Sequence, residues 1–139
     1  MKKHSDGFTL IELLMAIAIA GILAALAYSS YSSSVMKSNR SEAKTELYDI
    51  AQRLQKCYTT YGRYDDPNGA DLCPIYEDLT DGTPYITRGR GFYEITISND
   101  TANTYLLTAD GANSSQVEDV ECQQMTLDHM GQTLPANCW

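Results

Sequence analysis

The sequence predicts an α+β protein: one long amino-terminal helix, with an apolar half that projects and an amphipathic half packed on a three- to four-stranded antiparallel sheet. Three observations predict it. From Phe8 to Ala27 the only ionisable side chain is Glu12. Apolar residues then recur at helical spacing from Ala43 to Tyr61, and segments alternating apolar and polar residues follow, separated by short turns. A chain of 139 residues has room for one small domain beyond such a helix, which excludes a two-domain nucleotide enzyme or a large barrel. The division expected is a leader at 1–7, an apolar helix with a serine-rich junction at 8–35, and a globular head at 36–139.

The apolar run is about 20 residues, enough for roughly 30 Å of helix, the thickness of a bilayer's hydrocarbon core. Lys2 and Lys3 are the only bases before Lys37, so the leader should stay cytoplasmic and the rest should face the other compartment. Three uses fit such a segment. It could be a secretory signal cleaved after Ala27, since Ala25-Leu26-Ala27 has the small-x-small pattern. It could be a plain single-pass anchor, or an anchor that also packs against other helices. Two features favour packing. A carboxylate in hydrocarbon costs roughly 2.5–3.5 kcal/mol at the helix centre, less near the interface, and neither a signal nor a simple anchor has a use for it. Small residues are also dense, and Ala16, Ala20, Gly21 and Ala24 would let helix backbones approach closely.

Residues 28–34 read Tyr-Ser-Ser-Tyr-Ser-Ser-Ser and mark the exit from the apolar run, where serine supports a helix only weakly. Tyr28 and Tyr31 suit a membrane interface. Beyond them Ala43, Leu47, Ile50, Leu54, Cys57 and Tyr61 form one stripe at spacings of 4, 3, 4, 3 and 4, the mark of a helix packed on a core. An uninterrupted helix from Phe8 to about Tyr61 would run roughly 80 Å. Gly62 and the cluster Asp65-Asp66-Pro67-Asn68-Gly69 end it.

Strand signals come later. Phe92–Ser98, Thr104–Ala109 and Gln123–Asp128 alternate, Ser98-Asn99-Asp100 reads as a turn, and a short strand after Gly131 leads towards Trp139. Sequential strands with short turns imply an antiparallel meander whose apolar face one helix can cover. Tyr93 and Tyr105 fall in its strands. The four cysteines lie at 57, 73, 122 and 138, with neither tight metal-binding spacing nor a tight redox pair. We expect the pairs Cys57–Cys73 and Cys122–Cys138, each closing a loop between adjacent elements, as disulfides of an exported chain.

Charge limits the functions available. Ten bases against eighteen acids give −8, unevenly distributed. Residues 37–56 carry five bases and three acids, whereas residues 57–139 carry three bases and thirteen acids. Thr87-Arg88-Gly89-Arg90-Gly91 is the only basic cluster within residues 57–139, a poor phosphate track, so DNA is not expected as a direct ligand. Asp65, Asp66, Asn68 and Asp71 offer oxygens to calcium, but the closing glutamate of an EF-hand is missing, and we expect no metal and no cofactor. His4 falls in the leader and His129 in a turn, where it should face solvent. No catalytic set exists, and we expect no enzyme.

Gly7-Phe8-Thr9-Leu10-Ile11-Glu12-Leu13-Leu14 resembles the class III signal of type IV pilins and pseudopilins. Farther on, Phe92-Tyr93-Glu94-Ile95, Tyr105-Leu106-Leu107-Thr108 and Cys122 through Met125-Thr126-Leu127-Asp128 to Cys138-Trp139 resemble the PilE-type minor pilins. The resemblance implies the pilin fold, cleavage between Gly7 and Phe8 by a prepilin peptidase, and N-methylation of Phe8. It further implies that Glu12 pairs with the terminal amine of a neighbouring subunit. It makes the chain a low-abundance structural subunit of a type IV pilus, serving pilus biogenesis, twitching motility, adhesion or DNA uptake. Its partners would be other pilin subunits, the peptidase and the inner-membrane assembly machinery. The chain would sit in the inner membrane before assembly and in the extracellular pilus afterwards. Many pilins carry a proline where this chain has Ser29, so a proline kink is not implied. A type II secretion pseudopilin shares the leader, and a secreted binding domain released after Ala27 is the alternative from another class.

Overall fold

The structure, a computed structural model, describes residues 9–67, 69, 71–112 and 114–139. Helix α1 (Leu10–Tyr61) is followed by α2 (Pro74–Thr80), β1 (Tyr85–Ile86), β2 (Tyr93–Ser98), β3 (Leu106–Gly111), α3 (Ser114–Val117), β4 (Gln124–Asp128) and β5 (Thr133–Leu134), and a short 3-10 turn covers Ala136–Cys138. The chain divides into two compact units, Met1–Val35 and Met36–Trp139.

In the first unit every described side chain from Thr9 to Tyr28 is exposed. These residues hold the stretch that is long and apolar enough to cross a membrane. The first proline of the chain is Pro67, so no missing backbone donor interrupts α1. The serine-rich junction remains helical, and the Ser34 hydroxyl donates back to the Ser30 carbonyl at 3.0 Å.

In the second unit the expected stripe is the core face of the helix. Ala43, Leu47, Ile50 and Leu54 have no exposed surface, and Cys57 is buried, while Tyr61, the last residue of the helix, is 49 % exposed. Burying each large aliphatic side chain contributes roughly 1.5–3 kcal/mol. Gly62 then takes a φ of 74° and its N–H closes the last turn on Tyr58 at 2.8 Å.

The sheet has order β1-β2-β3-β4-β5, with every neighbouring pair antiparallel. Register sets Ile95 against Ala109 and Ala109 against Met125, and likewise Ile97 against Leu107 and Leu107 against Leu127. These side chains share the buried cluster with the helical stripe. The expected α+β class and meander are present, with five strands in place of three or four. The additional pairing is β1, two residues long and therefore without an alternation to read. Strand β3 begins two residues later than expected. Thr104 is held instead in a turn, where the Thr101 N–H donates to its carbonyl at 2.9 Å and its own hydroxyl donates to the Asn99 carbonyl at 2.9 Å. Helix α2 starts on Pro74, whose fixed φ and missing donor suit a first helical turn.

Cys57 and Cys73 are bridged with 5.6 Å between Cα atoms, and Cys122 and Cys138 with 5.7 Å. The first bridge ties the end of α1 to the start of α2. The second ties the approach to β4 to the last turn.

Candidate functional site

Among its described residues the apolar unit carries one charge, Glu12, and its surroundings are specific. Thr9 is the residue before α1 and Glu12 the third within it. The Thr9 N–H and hydroxyl both donate to Glu12 Oε2, at 3.2 and 3.0 Å, and the Glu12 N–H donates to the Thr9 hydroxyl at 3.3 Å. This is a reciprocal capping box, which satisfies orphan donors of the first turn. Its signal, Thr-x-x-Glu ahead of an apolar run, stands in the sequence, although the chemistry expected of Glu12 drew on its charge alone. Both donors reach the same oxygen, and no intramolecular hydrogen bond engages Oε1 among the described residues. Ala16, Ala20, Gly21 and Ala24 lie on exposed helix, and nothing comes within 4 Å of where a Gly21 Cβ would sit. Gly7 and Phe8 lie outside the described residues.

The head places its cations against its carboxylates. Arg88 donates from Nε to Glu46 Oε1 at 2.8 Å and from Nη2 to Asp49 Oδ2 at 2.5 Å. The Tyr85 hydroxyl shares Glu46 Oε1 at 2.9 Å, and the Arg90 N–H reaches Glu42 Oε1 at 2.9 Å. The loop 87–91 is thereby clasped to the acidic face of α1, with Gly89 so close that an added Cβ would meet the Glu42 carboxylate. These hydrogen bonds hold Arg88 above its ordinary value, first through Glu46 and then through Asp49. The Arg90 guanidinium has no ion pair among the described residues.

A second polar network is buried. Arg40 holds Asp119 through Nε and Nη2, Gln116 Nε2 donates to Asp119 Oδ2 at 2.8 Å, and Asn39 Nδ2 donates to Gln116 Oε1 at 3.2 Å. Nothing in the sequence pattern marked these four residues, which are brought together from 39–40 and 116–119 by the fold.

The acidic loop is occupied by its own contacts. Arg63 Nε donates to Asp65 Oδ1 at 2.7 Å, and the Leu72 N–H donates to Asp66 Oδ2 at 3.0 Å. Asn68 lies outside the described residues, and among the described residues no group of three or more His, Cys, Asp or Glu side chains could hold a metal ion. His129 departs from its expected free exposure. Its N–H extends the β3–β4 ladder to the Tyr105 carbonyl at 3.2 Å, which sets its ring half-buried and edge-on to Tyr105 at 6.3 Å. Tyr105 in turn meets Tyr64 at 4.8 Å, and Tyr64 stacks on Tyr58 at 4.6 Å.

Two family models match the chain. One, described as type IV minor pilin ComP, DNA uptake sequence receptor, covers residues 29–126, and the prokaryotic N-terminal methylation motif covers residues 2–28. Among similar proteins, the type IV major pilin protein PilE1 of Neisseria gonorrhoeae is 30 % identical over 81 % of this chain and 49 % of its own length. The type IV major pilin protein PilA of Myxococcus xanthus is 42 % identical over 45 % of this chain and 29 % of its own length. A probable minor fimbrial protein of Dichelobacter nodosus is 35 % identical over 51 % of this chain and 44 % of its own length. The chain thus spans less than half the length of each of these relatives.

Proposed function

Because the chain belongs to the type IV minor pilin family described as ComP, we propose that it works by polymerisation: a prepilin held in the inner membrane with its leader cytoplasmic, clipped between Gly7 and Phe8, methylated at Phe8, and packed through its apolar helix into a type IV pilus. Membership of a structural family accounts for an apolar segment with a single charge. The finer steps rest on that charge. Glu12 is the observation that carries the reading, because a carboxylate in apolar surroundings needs a cation, and cleavage after Gly7 would create one at the Phe8 amine. Thr9 satisfies Glu12 Oε2 from within the chain. Oε1 remains for the amine of a neighbouring subunit. Apolar surface is covered in lipid before assembly and by helices afterwards, so the charge pair sets register and recruitment more than bulk affinity. Ala16, Ala20, Gly21 and Ala24 would line the close helix contacts.

The test has two parts. Mass spectrometry should find the mature chain beginning at methyl-Phe8, and a terminus at Tyr28 would establish the secreted-domain alternative instead. Glu12→Ala should lower incorporation into sheared pili at least tenfold while the melting of the head is unchanged. Incorporation at the level of the parent chain would overturn the charge-pair mechanism. Recovery of the chain in a secretion complex and not in pili would favour the pseudopilin.

Direct DNA contact is the second reading, favoured by the family's description as a DNA uptake sequence receptor. The charge opposes it. Arg40, Arg53, Arg63 and Arg88 are engaged by carboxylates, leaving Lys37, Lys44, Lys56 and Arg90 as the head's cations without an ion pair among the described residues. Titrating labelled duplex into the protein at about 50 mM salt decides it, since phosphate contacts are strongest there. Binding that weakens steeply as salt rises would establish the DNA role, and no binding at that salt would exclude it.

A further inference from the structure

We propose that the head docks on a second copy of itself by seating the Val120 knob of one copy in the cleft beside the Cys57–Cys73 bridge of the next, an inference that rests on the filament reading above. Val120 is 84 % exposed, the most exposed large apolar side chain among the described residues, ahead even of those on the apolar helix. It stands on a firm base. On one side Asp119 is buried in its pair with Arg40, and on the other Cys122 is bridged to Cys138. The Cys122 N–H also donates to the Asp119 carbonyl at 3.0 Å, closing the turn that turns Val120 outward. Glu118 and Glu121 flank the knob, exposed, with neither carboxylate in an ion pair among the described residues. The knob is therefore apolar at its tip and negative around it.

The cleft has the complementary character. It has a volume of about 360 Å³ and is lined by Arg53, Lys56, Tyr61, Leu72, Pro74 and Ile75, among others. Its apolar side is the sequence around Cys73, and its cationic rim comes from α1. Arg53 shares its charge with Asp49, whereas Lys56 has no ion pair among the described residues. Asp78 also stands at the cleft, so the acidic flank of the knob must face the α1 side, towards Lys56.

Knob and cleft are different patches at different levels of the head. Asp119 is anchored at Arg40, and the cleft begins at Arg53 and Lys56, which a rise of 1.5 Å per residue puts roughly 20–24 Å farther along α1. A contact between two different patches of one chain closes into a two-fold dimer only where both copies seat their knobs at once; with one knob seated per pair it repeats head to tail into a ring or an open filament. One valine with a charged flank makes a weak contact, which gains strength where helices already hold the chains side by side.

A photo-crosslinking benzoylphenylalanine at position 120 of the full chain, irradiated in membranes and in sheared pili, tests the docking. We expect an adduct to residues 53–78 of a second copy. Lys56→Glu and Glu121→Lys should each lower its yield at least fivefold, and the two together should restore it to within twofold. No adduct, an adduct elsewhere, or no rescue by the double reversal overturns the proposal. An adduct at 53–78 in membranes from a chain absent from pili sustains the docking and overturns the filament reading. A chain abundant in pili without that adduct does the reverse.

Discussion

Arg40 grips Asp119 across 79 positions of sequence, with Nε 2.6 Å from one carboxylate oxygen and Nη2 2.5 Å from the other. The geometry is bidentate, and Asp119 is only 6 % exposed. Gln116 and Asn39 extend it inward, so the carboxylate is the hub that joins α1 to the segment before β4. Truncating it leaves a guanidinium and an amide without their partner in a part-buried place. Asp119→Ala should cost about 2 kcal/mol and lower the melting temperature of the head by roughly 10 °C, read by circular dichroism of the full chain in detergent. An unchanged melting temperature would show that water replaces the carboxylate at no cost.

The bridges act on the unfolded chain more than on the folded one. Each closes a loop between positions 16 apart, for which the loop-closure model gives about 3 kcal/mol. The paired substitution Cys57→Ser with Cys73→Ser should remove about that much, and Cys122→Ser with Cys138→Ser a similar amount. Denaturant midpoints of the two double variants check this. A much larger loss at 122–138 would mean that the last turn also depends on its bridge for folded contacts, through Trp139, whose indole N–H bonds the Leu134 carbonyl at 3.2 Å.

Stability should hold from neutral pH to about 10 and fall between roughly 10 and 12. Burial pushes the phenols of Tyr93 and Tyr105 up to about 12, and for Tyr76 the hydrogen bond to Asp100 does so first. A phenol that holds its proton more tightly when folded stabilises the fold while pH is below its unfolded value near 10. That contribution is lost as pH rises through the folded value, because the unfolded chain then ionises more readily. Absorbance near 295 nm, followed together with circular dichroism, should show three tyrosines ionising only above pH 11 or with unfolding. Ionisation of all ten tyrosines near pH 10 in a still folded chain contradicts this account.

The parts of the fold that follow from periodicity were legible in the sequence. The stripe Ala43, Leu47, Ile50, Leu54 and the alternation in β2 and β4 each bury a face, and burial of a face is what a repeat encodes. Elements without a repeat were not. Strand β1 has two residues, α2 has seven and α3 has four, too few turns or alternations to rise above composition. The buried pair Arg40–Asp119 was hidden for another reason. Each residue looks like a surface charge in its own segment, and only the path of the chain between them makes them partners. Glu46 and Asp49 are the carboxylates that meet Arg88, named by the fold and not by spacing. The charge of Glu12 stood out at once, while its tie to Thr9 needed the helix start to be placed at Leu10.

That tie separates two roles of one residue. Thr9→Ala removes the hydroxyl that donates to Glu12 and accepts from its N–H, which should cost the helix start about 1 kcal/mol, the usual worth of a cap. Hydrogen exchange of the first-turn amides, residues 10–13, in micelles should therefore quicken by roughly fivefold, and Thr9→Ser should restore the parent rate. Glu12 keeps its charge in both variants. If its part in assembly is to meet an external cation, Thr9→Ala should leave incorporation into pili within a few-fold of the parent chain, in contrast to the loss expected of Glu12→Ala. An equal loss in both variants would mean that the ordered first turn, and not the carboxylate, is what assembly requires.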